Sequence, residues 1–362
     1  MKKSVWISMI VAGACLLCGV VIATIGFALG GFELSAIESE PLVTNEYILE
    51  EEFSRIAIDV SAADVCLEPS TDGACHVVCT DRERIEYEVA VIEGTLTVRF
   101  ADTGKWYEHI VSVSTASPSV TVYLPGDTYR SLTVNTSSGG VAVGARYTFE
   151  EDVKLTASSG TVSLAAAVGG SADMQTSSGD IHLASKSLYA LTATTSSGRI
   201  RVESGSVSGA VKLTTSSGDV EWRNTACGAL TVTTSSGDVT VDGLTVTDTA
   251  RVTVTSGRIS LTRTACGELY AQSSSGRVEL TDLIASGHLR TQTTSGDVRL
   301  TRSDAATLDI QTSSGSVTGS LLTAKIIYTD TSSGSVSVPK STEGGLCEIT
   351  TSSGDIRITY IE

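Results

Sequence analysis

The sequence predicts an all-β fold: a parallel β-solenoid (β-helix) of about twelve coils of 19–20 residues, with an atypical N-terminal β cap preceded by one transmembrane helix. Three observations predict the solenoid: a corner phrase that recurs at a fixed period, apolar residues at alternate positions on both sides of it, and a repeat too short for a helical crossover. Aligned on its glycine, the phrase occurs at Gly139, Gly160, Gly179, Gly198, Gly218, Gly237, Gly257, Gly276, Gly296, Gly315, Gly334 and Gly354. The intervals of 19 to 21 residues indicate a stacked array.

Each repeat carries apolar residues two positions apart, with polar residues between them. The second residue after the glycine is Val or Ile in all twelve copies, from Val141 to Ile356. The seventh residue before it is apolar throughout, from Leu132 to Cys347. A spacing of two is strand spacing, so each repeat is predicted to be a strand, a Ser-Ser-Gly corner, a second short strand and a looser corner.

A single repeat cannot bury its own apolar face, so the repeats are expected to depend on one another. When coil lies on coil, equivalent positions stack and the apolar columns close into a continuous core. Like strands of successive coils are therefore expected to pair in parallel, about 4.8 Å apart.

The corner phrase is interpreted as structural. Ser precedes the glycine in every copy and Thr stands three positions before it in nine, both with the parity of inward residues, so we expect buried or half-buried hydroxyl ladders. Glycine is expected to supply a positive φ. A phosphate-binding loop is the competing interpretation, and it would need a following helix and a Lys that are not in the phrase.

The start of the chain predicts a membrane anchor. Residues 1–4 are assigned to the cytoplasm, residues 5–30 to a transmembrane signal anchor, and residues 31–52 to a linker. The apolar run exceeds the roughly 20 residues that span a bilayer, with lysines before it and acidic residues after it, so the bulk of the chain is expected outside the cell membrane. A cleaved secretion signal and lipoprotein processing at Cys15 are alternatives.

The two ends of the array are expected to differ. Residues 53–130 alternate like strands without the 20-residue period, and they are predicted to form a β cap or first irregular coils over an otherwise open end. Residues 131–362 hold the solenoid repeats. No cap is visible before Glu362, so the C-terminal coil is expected to allow self-association.

The formal net charge of −16 at pH 7 disfavours nucleic acid, anionic lipid and anionic polymer as electrostatic partners. Cations do occur six positions before the glycine, at Lys154, Lys212, Arg251 and Arg290. Neutral and acidic residues interrupt this column, which is interpreted as an ordinary solvated face.

The cysteines indicate core packing more than chemistry. Cys66, Cys75 and Cys79 lie in the cap region, where one pair could form a disulfide in an oxidising compartment. Cys227 and Cys266 hold the same repeat position two coils apart, a separation of about 9.6 Å that is too long for a disulfide.

No pattern predicts a catalytic, cofactor-binding or metal site. The four histidines are His76, His109, His182 and His288, and they show no metal or nucleophile spacing. Asp219 and Asp238 follow the corner glycine in consecutive coils, at about 5 Å, a spacing that suits retaining glycosidase chemistry. Other coils place Arg or Ser in this column, so it is interpreted as a corner column and the protein as non-enzymatic.

Two stretches resemble a known family. The segment 120–127 running into 132–139, and the segment 56–60 followed by Asp64-Val65, are similar to the bacterial "putative adhesin" family of β-strand-repeat proteins of unknown function. The resemblance covers residues 53–362. It implies membrane anchoring and no catalytic residues, and some members are similar to proteins encoded beside envelope-stress signalling systems of Gram-positive bacteria.

These observations predict a non-enzymatic, single-pass membrane protein of the cell envelope, with an extracytoplasmic solenoid that offers surface for adhesion or protein contact. The expected partners are an envelope protein or glycan, and the membrane through residues 5–30. No nucleic acid and no cofactor are expected. The alternatives are an accessory protein of an envelope-stress signalling system and a carbohydrate-active β-helix enzyme.

Overall fold

The computed structural model describes residues 42–82, 85–102 and 117–361. The predicted anchor at residues 5–30 lies outside them, as does His109. Within the described ranges, no helix combines the length and the apolar character needed to cross a membrane. All regular structure in these ranges is β, and the prediction of a parallel β-solenoid is confirmed, with about 11 turns.

The described strands follow the repeat. Those of the N-terminal region are β1 (Leu42–Leu49), β2 (Arg55–Asp59), β3 (Asp64–Pro69), β4 (Cys75–Arg82), β5 (Ile85–Ile92), β6 (Thr95–Asp102), β7 (Ser119–Leu124) and β8 (Thr128–Tyr129). The first regular coils contain β9 (Ser131–Asn135), β10 (Val141–Val143), β11 (Thr148–Phe149), β12 (Val153–Thr156), β13 (Val162–Leu164), β14 (Ala167–Val168), β15 (Ser171–Gln175), β16 (Ile181–Leu183), β17 (Ser187–Leu188) and β18 (Ala190–Thr194).

The coils that follow contain β19 (Ile200–Thr214), β20 (Val220–Thr234), β21 (Val239–Val254), β22 (Ile259–Ser273), β23 (Val278–Thr281), β24 (Ile284–Thr293) and β25 (Val298–Gln311). Each of these strands except β23 and β24 runs around the looser corner without a break. The C-terminal coils contain β26 (Val317–Leu321), β27 (Lys325–Thr331), β28 (Val336–Ser337), β29 (Gly345–Thr351) and β30 (Ile356–Tyr360).

Equivalent strands of successive coils pair in parallel. Val220 lies opposite Val239, and Val239 lies opposite Ile259. The register shifts at the looser corner, for example between Val207 and Ala210, where coils of 19 and 20 residues meet, and between β25 and β26 it shifts earlier in the coil, between Leu300 and Ser303. Because a one-residue slip would turn an apolar column outward, the core fixes the register on both faces.

The inward columns form one continuous core. The Val/Ile column after the glycine is buried in every coil except at Val336, and Trp222 is fully buried in the next inward column. Each buried Val, Leu or Ile contributes about 1.5–3 kcal/mol relative to an exposed one. This burial exists only between coils, which is why a repeat cannot fold alone.

The corner that contains the Thr-Ser-Ser-Gly phrase is named the glycine corner. The expectation that its glycines have positive φ is wrong, because none of the twelve does. They are needed for space: a Cβ on Gly237 would lie 1.8 Å from the carbonyl oxygen of Gly218, and one on Gly276 would lie 1.7 Å from that of Gly257. Each corner therefore rests directly on the backbone of the one before it.

Of the two hydroxyl columns that were expected to be buried, only the threonine column is. The corner threonines are buried, as in Thr176, Thr215 and Thr234. The serine before the glycine is exposed, as at Ser178 and Ser236, so its predicted inward orientation is wrong. Strand parity does not continue through the corner, because the backbone bends there.

In five coils the backbone instead has a positive φ at the sixth residue after the corner glycine. The bend at this residue is named the positive-φ corner. Its φ angles are 49° at Asn224, 72° at Gly243, 48° at Arg263, 51° at Asp282 and 47° at Arg302. Four of these five residues carry a side chain, although the left-handed region costs L-residues about 1–2 kcal/mol.

The first coil lies inside the stretch predicted to be irregular. Strands β2 and β3 pair in parallel with β9 and β10. Ala63 holds the position of the corner glycine, since the hydroxyl of Thr136 donates to its carbonyl at 3.1 Å and a Cβ on Gly139 would lie 1.9 Å from the same oxygen. The Ser-Ala-Ala-Asp sequence therefore forms a corner that lacks the recurring phrase.

Antiparallel strands end the parallel stack at the N-terminal side. Strands β6 and β7 lie on β2 and β3 in parallel, so the chain passes outside its first coil before it returns to β9. Strand β5 then pairs antiparallel with β6, β4 with β7, and β1 with β4. An incoming parallel strand thus meets a different hydrogen-bond pattern at this end.

The last repeat in the sequence is not the last coil in space. Strand β29 lies between β25 and β27, and β30 lies between β26 and β28. The C-terminal repeat is inserted beneath the repeat that precedes it, and the expectation that it forms the uncapped end is wrong. The open end belongs to β27 and β28, where Tyr328 and Val336 are exposed. Self-association through this end stays a prediction.

Candidate functional site

The recurring phrase is fully occupied by packing between coils. The hydroxyl of Thr234 accepts a hydrogen bond from the Gly237 amide at 3.2 Å and donates to the carbonyl of Gly218 in the preceding coil at 3.4 Å. Thr312 does the same between Gly315 and Gly296, at 3.0 and 3.2 Å. These buried hydroxyls have both their donor and acceptor capacity used, so the phrase is a structural element.

The predicted carboxylate pair forms part of a backbone ladder. Asp219 accepts from the amide of Asp238 at 2.9 Å, and Asp238 accepts from the amide of Arg258 at 2.8 Å. At the last coils, the Ser335 amide holds the pKa of the Asp355 carboxyl below its ordinary value. The structure does bring Asp219 and Asp238 onto adjacent coils, but each places one oxygen on the next backbone amide.

The described histidines are bound to different partners in different parts of the fold. His76 lies between Glu46 at 2.9 Å and Asp72 at 2.8 Å; their hydrogen bonds raise its pKa. The amide of Ala74, then a serine hydroxyl and His76, lower the Asp72 pKa to about 2. His288 hydrogen-bonds a threonine hydroxyl at 2.9 Å. Among the described residues, no group of three or more His, Cys, Asp or Glu could hold a metal ion.

A cluster of charges lies on the outward face that follows the glycine corner. Glu221 is 3.0 Å from Arg201 and 3.5 Å from both Arg199 and Arg223. His182 lies on the same face, and its side chain is 40% exposed. The charges neutralise one another locally, as on an ordinary solvated surface.

The cysteines are free thiols in the described part of the chain. Cys75 and Cys79 are four residues apart on one face of β4, roughly 13 Å, and Cys66 lies on the opposite face of its sheet, so no pair is placed to form a disulfide. Burial raises the pKa of the Cys79 thiol to about 12. Cys227 and Cys266 lie two coils apart, as predicted.

The structure contains a buried ion pair that the sequence did not reveal. Lys325 in β27 lies 2.8 Å from Asp304 in β25, and their side chains are 6% and 10% exposed. Lys325 lies opposite Gly345 of the inserted coil, where no side chain blocks its path. The ion pair thus connects two coils across a third. Periodicity could not predict it, because neither residue occupies a column that recurs.

The outward cations predicted from the sequence lie on the face that precedes the glycine corner. The Arg251 guanidinium stacks on the Tyr270 ring, 4.5 Å from its centroid. Arg290 is 3.4 Å from Asp309. An open depression of about 290 Å³ lies among them, lined by Arg251, Thr253, Tyr270, Ala271, Gln272, Arg290 and Gln292.

Comparison with known proteins gives a family and several solved structures. The family model described as Toastrack DUF4097 matches residues 53–242 and 186–359. No curated protein matches the chain. A "putative adhesin" from Parabacteroides merdae is 15% identical, with 78% of this chain and 97% of that chain covered and a TM-score of 0.39. A "putative lipid binding protein" from Parabacteroides distasonis is 19% identical, with 77% and 96% covered and a TM-score of 0.36.

Proposed function

The chain belongs to the Toastrack DUF4097 family, and we propose that it is a non-enzymatic contact protein of the cell envelope. In this proposal residues 5–30 hold it in the cell membrane as a single-pass anchor, and the solenoid lies on the extracytoplasmic side. Its outward faces contact an envelope protein or a glycan.

One observation carries the proposal: the recurring threonine, glycine and Val/Ile positions are used in packing between coils, whereas an outward column with no role in that packing changes from coil to coil. The corner threonine and glycine bind the neighbouring coil, and the Val/Ile column fills the core. The outward column six before the glycine instead changes from Lys212 to Thr231 to Arg251 to Tyr270 along consecutive coils. Side chains without a role in the stack are the ones available to recognise a partner.

The backbone contacts of the carboxylate ladder support a non-catalytic role. A retaining glycosidase needs one carboxylate as nucleophile and the other as acid. Asp219 and Asp238 each use an oxygen to cap a backbone amide, and coils elsewhere use the same position in the same way, as Asp180 does for Arg199 at 2.7 Å. The carbohydrate-active alternative is therefore disfavoured.

In-cell crosslinking tests the contact role. A photoreactive amino acid is placed on the outward faces, at Thr233 before the glycine corner and at Arg223 after it, with exposed Ser235 in the corner itself as the matched control. We expect a discrete crosslinked product from one face and none from the corner. Equal labelling at all three positions would contradict a contact face, and glycan cleavage that is lost in Asp219→Asn would contradict the non-enzymatic assignment.

The same experiment separates adhesion from signalling. Identification of the crosslinked partner as a membrane protein of a stress-response system would favour the accessory alternative, which at present rests on the family resemblance. Location is tested on intact cells with a membrane-impermeant amine reagent. Exposed Lys154 and Lys212 should react before lysis, and reaction only after lysis would contradict the extracytoplasmic placement.

A further inference from the structure

Ten outward side chains of five consecutive coils form a continuous strip, which is named the cationic lane. Parallel register places them in two adjacent columns. The first column is Lys212, Thr231, Arg251, Tyr270 and Arg290, and the second is Thr214, Thr233, Thr253, Gln272 and Gln292. The lane runs across the strands, along the direction in which the coils stack.

The lane has the opposite charge to the rest of the chain. None of its ten residues is acidic, although the whole sequence carries a formal charge of −16. Asp309 borders it on the next coil beyond Arg290. Among the described residues, Lys212 and Arg251 form no ion pair. The negative net charge disfavours binding of anionic polymers to the molecule as a whole, but the local charge of the cationic lane is positive.

The cations recur at every second coil. Parallel strands lie about 4.8 Å apart, so Lys212, Arg251 and Arg290 are spaced by about 9.6 Å along the lane. The positions between them hold Thr231 and Tyr270. A linear polymer with one negative charge per two building blocks fits this spacing. A DNA strand, with a phosphate every 3.4 Å along the duplex axis, is much too densely charged.

The central cation is held in place before any ligand arrives. The Arg251 guanidinium stacks on Tyr270, whose hydroxyl donates to Glu268 at 3.2 Å and whose ring lies 6.2 Å from that of His288. An arginine fixed in this way loses less side-chain entropy on binding than a free one. The threonines and glutamines of the second column supply neutral hydrogen-bond donors and acceptors beside each charge.

We propose that the cationic lane binds a linear acidic polysaccharide with a carboxylate on every second sugar. Lys212, Arg251 and Arg290 receive successive carboxylates, and the second column bonds to the hydroxyls of the intervening sugars. The inference rests on the proposed function, in which an outward face contacts an envelope protein or a glycan. It specifies which face binds the glycan and to which chemical class the glycan belongs.

Calorimetry on the full chain in a neutral detergent tests the proposal. The probe is a hyaluronan decasaccharide, which has a carboxylate on alternate sugars, and the matched neutral probe is a chitin oligosaccharide. We expect the acidic probe to bind at least about tenfold more tightly, with an affinity that falls as salt rises. Arg251→Gln should weaken binding about fivefold, the scale of one exposed ion pair. Tyr270→Leu should weaken it less.

The control variant is Arg277→Gln, which removes an exposed arginine on the other face. It should leave the affinity unchanged, and circular dichroism should be the same for all variants. No binding of the acidic probe, equal binding of the neutral one, or equal weakening by Arg277→Gln would overturn the proposal. If crosslinking at Thr233 still captures a partner protein in that case, the contact function stands and only the glycan inference fails.

Discussion

The glycine corner and the positive-φ corner have different structural requirements, and their residues differ accordingly. The glycine corner has a glycine in all twelve repeats, and none of these glycines has a positive φ. The positive-φ corner has the left-handed backbone in five coils, and only one of these residues, Gly243, is a glycine. A recurring glycine in this protein therefore marks where backbones touch, and unusual torsion angles occur elsewhere.

The reason lies in what each corner contacts. At the glycine corner, the backbone of the neighbouring coil lies where a Cβ would be, and no change of rotamer could avoid that contact. At the positive-φ corner, side chains point to solvent and pair along the stack, as Arg263 does with Asp242 at 2.7 Å. A torsional cost of about 1 kcal/mol is tolerable there.

The largest effect is expected from Gly237→Ala. The new methyl would overlap the Gly218 carbonyl, so both coils must separate, and we expect a loss of about 3 kcal/mol in the free energy of unfolding, the upper end of the usual cost of overpacking. Chemical denaturation followed by circular dichroism measures it. The matched control is Gly144→Ala, where a Cβ meets nothing within 4 Å. Equal stability of the two variants would remove the distinction between the corners.

The next largest effect is expected from two Thr→Val substitutions of opposite sign. Thr234→Val removes the hydroxyl that serves both Gly237 and Gly218, which should destabilise the protein by about 1–3 kcal/mol. Thr291 is fully buried in an apolar column, and its hydroxyl has no partner among the described residues. Thr291→Val should therefore stabilise by about 1 kcal/mol. Chemical denaturation of both variants measures the two changes in the free energy of unfolding. If these changes had the same sign, the assignment of the corner hydroxyls would be contradicted.

A smaller effect is expected at the positive-φ corner from Arg263→Gly. Glycine relieves the left-handed backbone but loses the exposed ion pair with Asp242 and is more flexible when unfolded. These contributions nearly cancel, so the free energy of unfolding should change by no more than about 0.5 kcal/mol. A loss as large as that of Gly237→Ala would show that this corner is as tightly packed as the other.

The smallest effect concerns acid. Asp355 at the glycine corner and Asp282 at the positive-φ corner both have lowered pKa values, the first from the Ser335 amide and the second from Arg302. A lowered folded pKa stabilises the fold above the unfolded value of about 3.9, and this contribution is lost as pH falls through the folded pKa. Carboxyl NMR titration should show that 1 M salt raises the Asp282 pKa and hardly affects Asp355, because salt screens the ion pair.

The sequence predicted the repeating unit but not the order in which the units stack. Equivalent positions, parallel pairing and inward columns follow from periodicity alone. The insertion of β29 and β30 does not, because every coil has the same top and bottom surface and the intervals near Gly334 and Gly354 are ordinary. The Gly344-Gly345 pair and the buried Lys325 are the local features that accompany the crossing.

Chemistry at the corners was predicted in part. Thr234 follows strand parity and is buried as expected, whereas Ser236 lies beyond the bend and is exposed. Ala63 shows a different limit: a methyl is accepted at the first corner, so the glycine signature is missing from a coil that is otherwise regular. The cationic lane was visible as a column, but the stacking of Arg251 on Tyr270 required coordinates.

Deletion of one whole coil tests the central claim most directly, namely that each coil is complete only on its neighbours and that neighbours are interchangeable. Removal of residues 238–257 joins equivalent positions, and the β-rich circular dichroism spectrum and a cooperative denaturation transition should persist. Removal of residues 238–247 alone leaves half a coil, displaces every later inward column, and should abolish both. Loss of structure in the first deletion, or its retention in the second, would contradict the account.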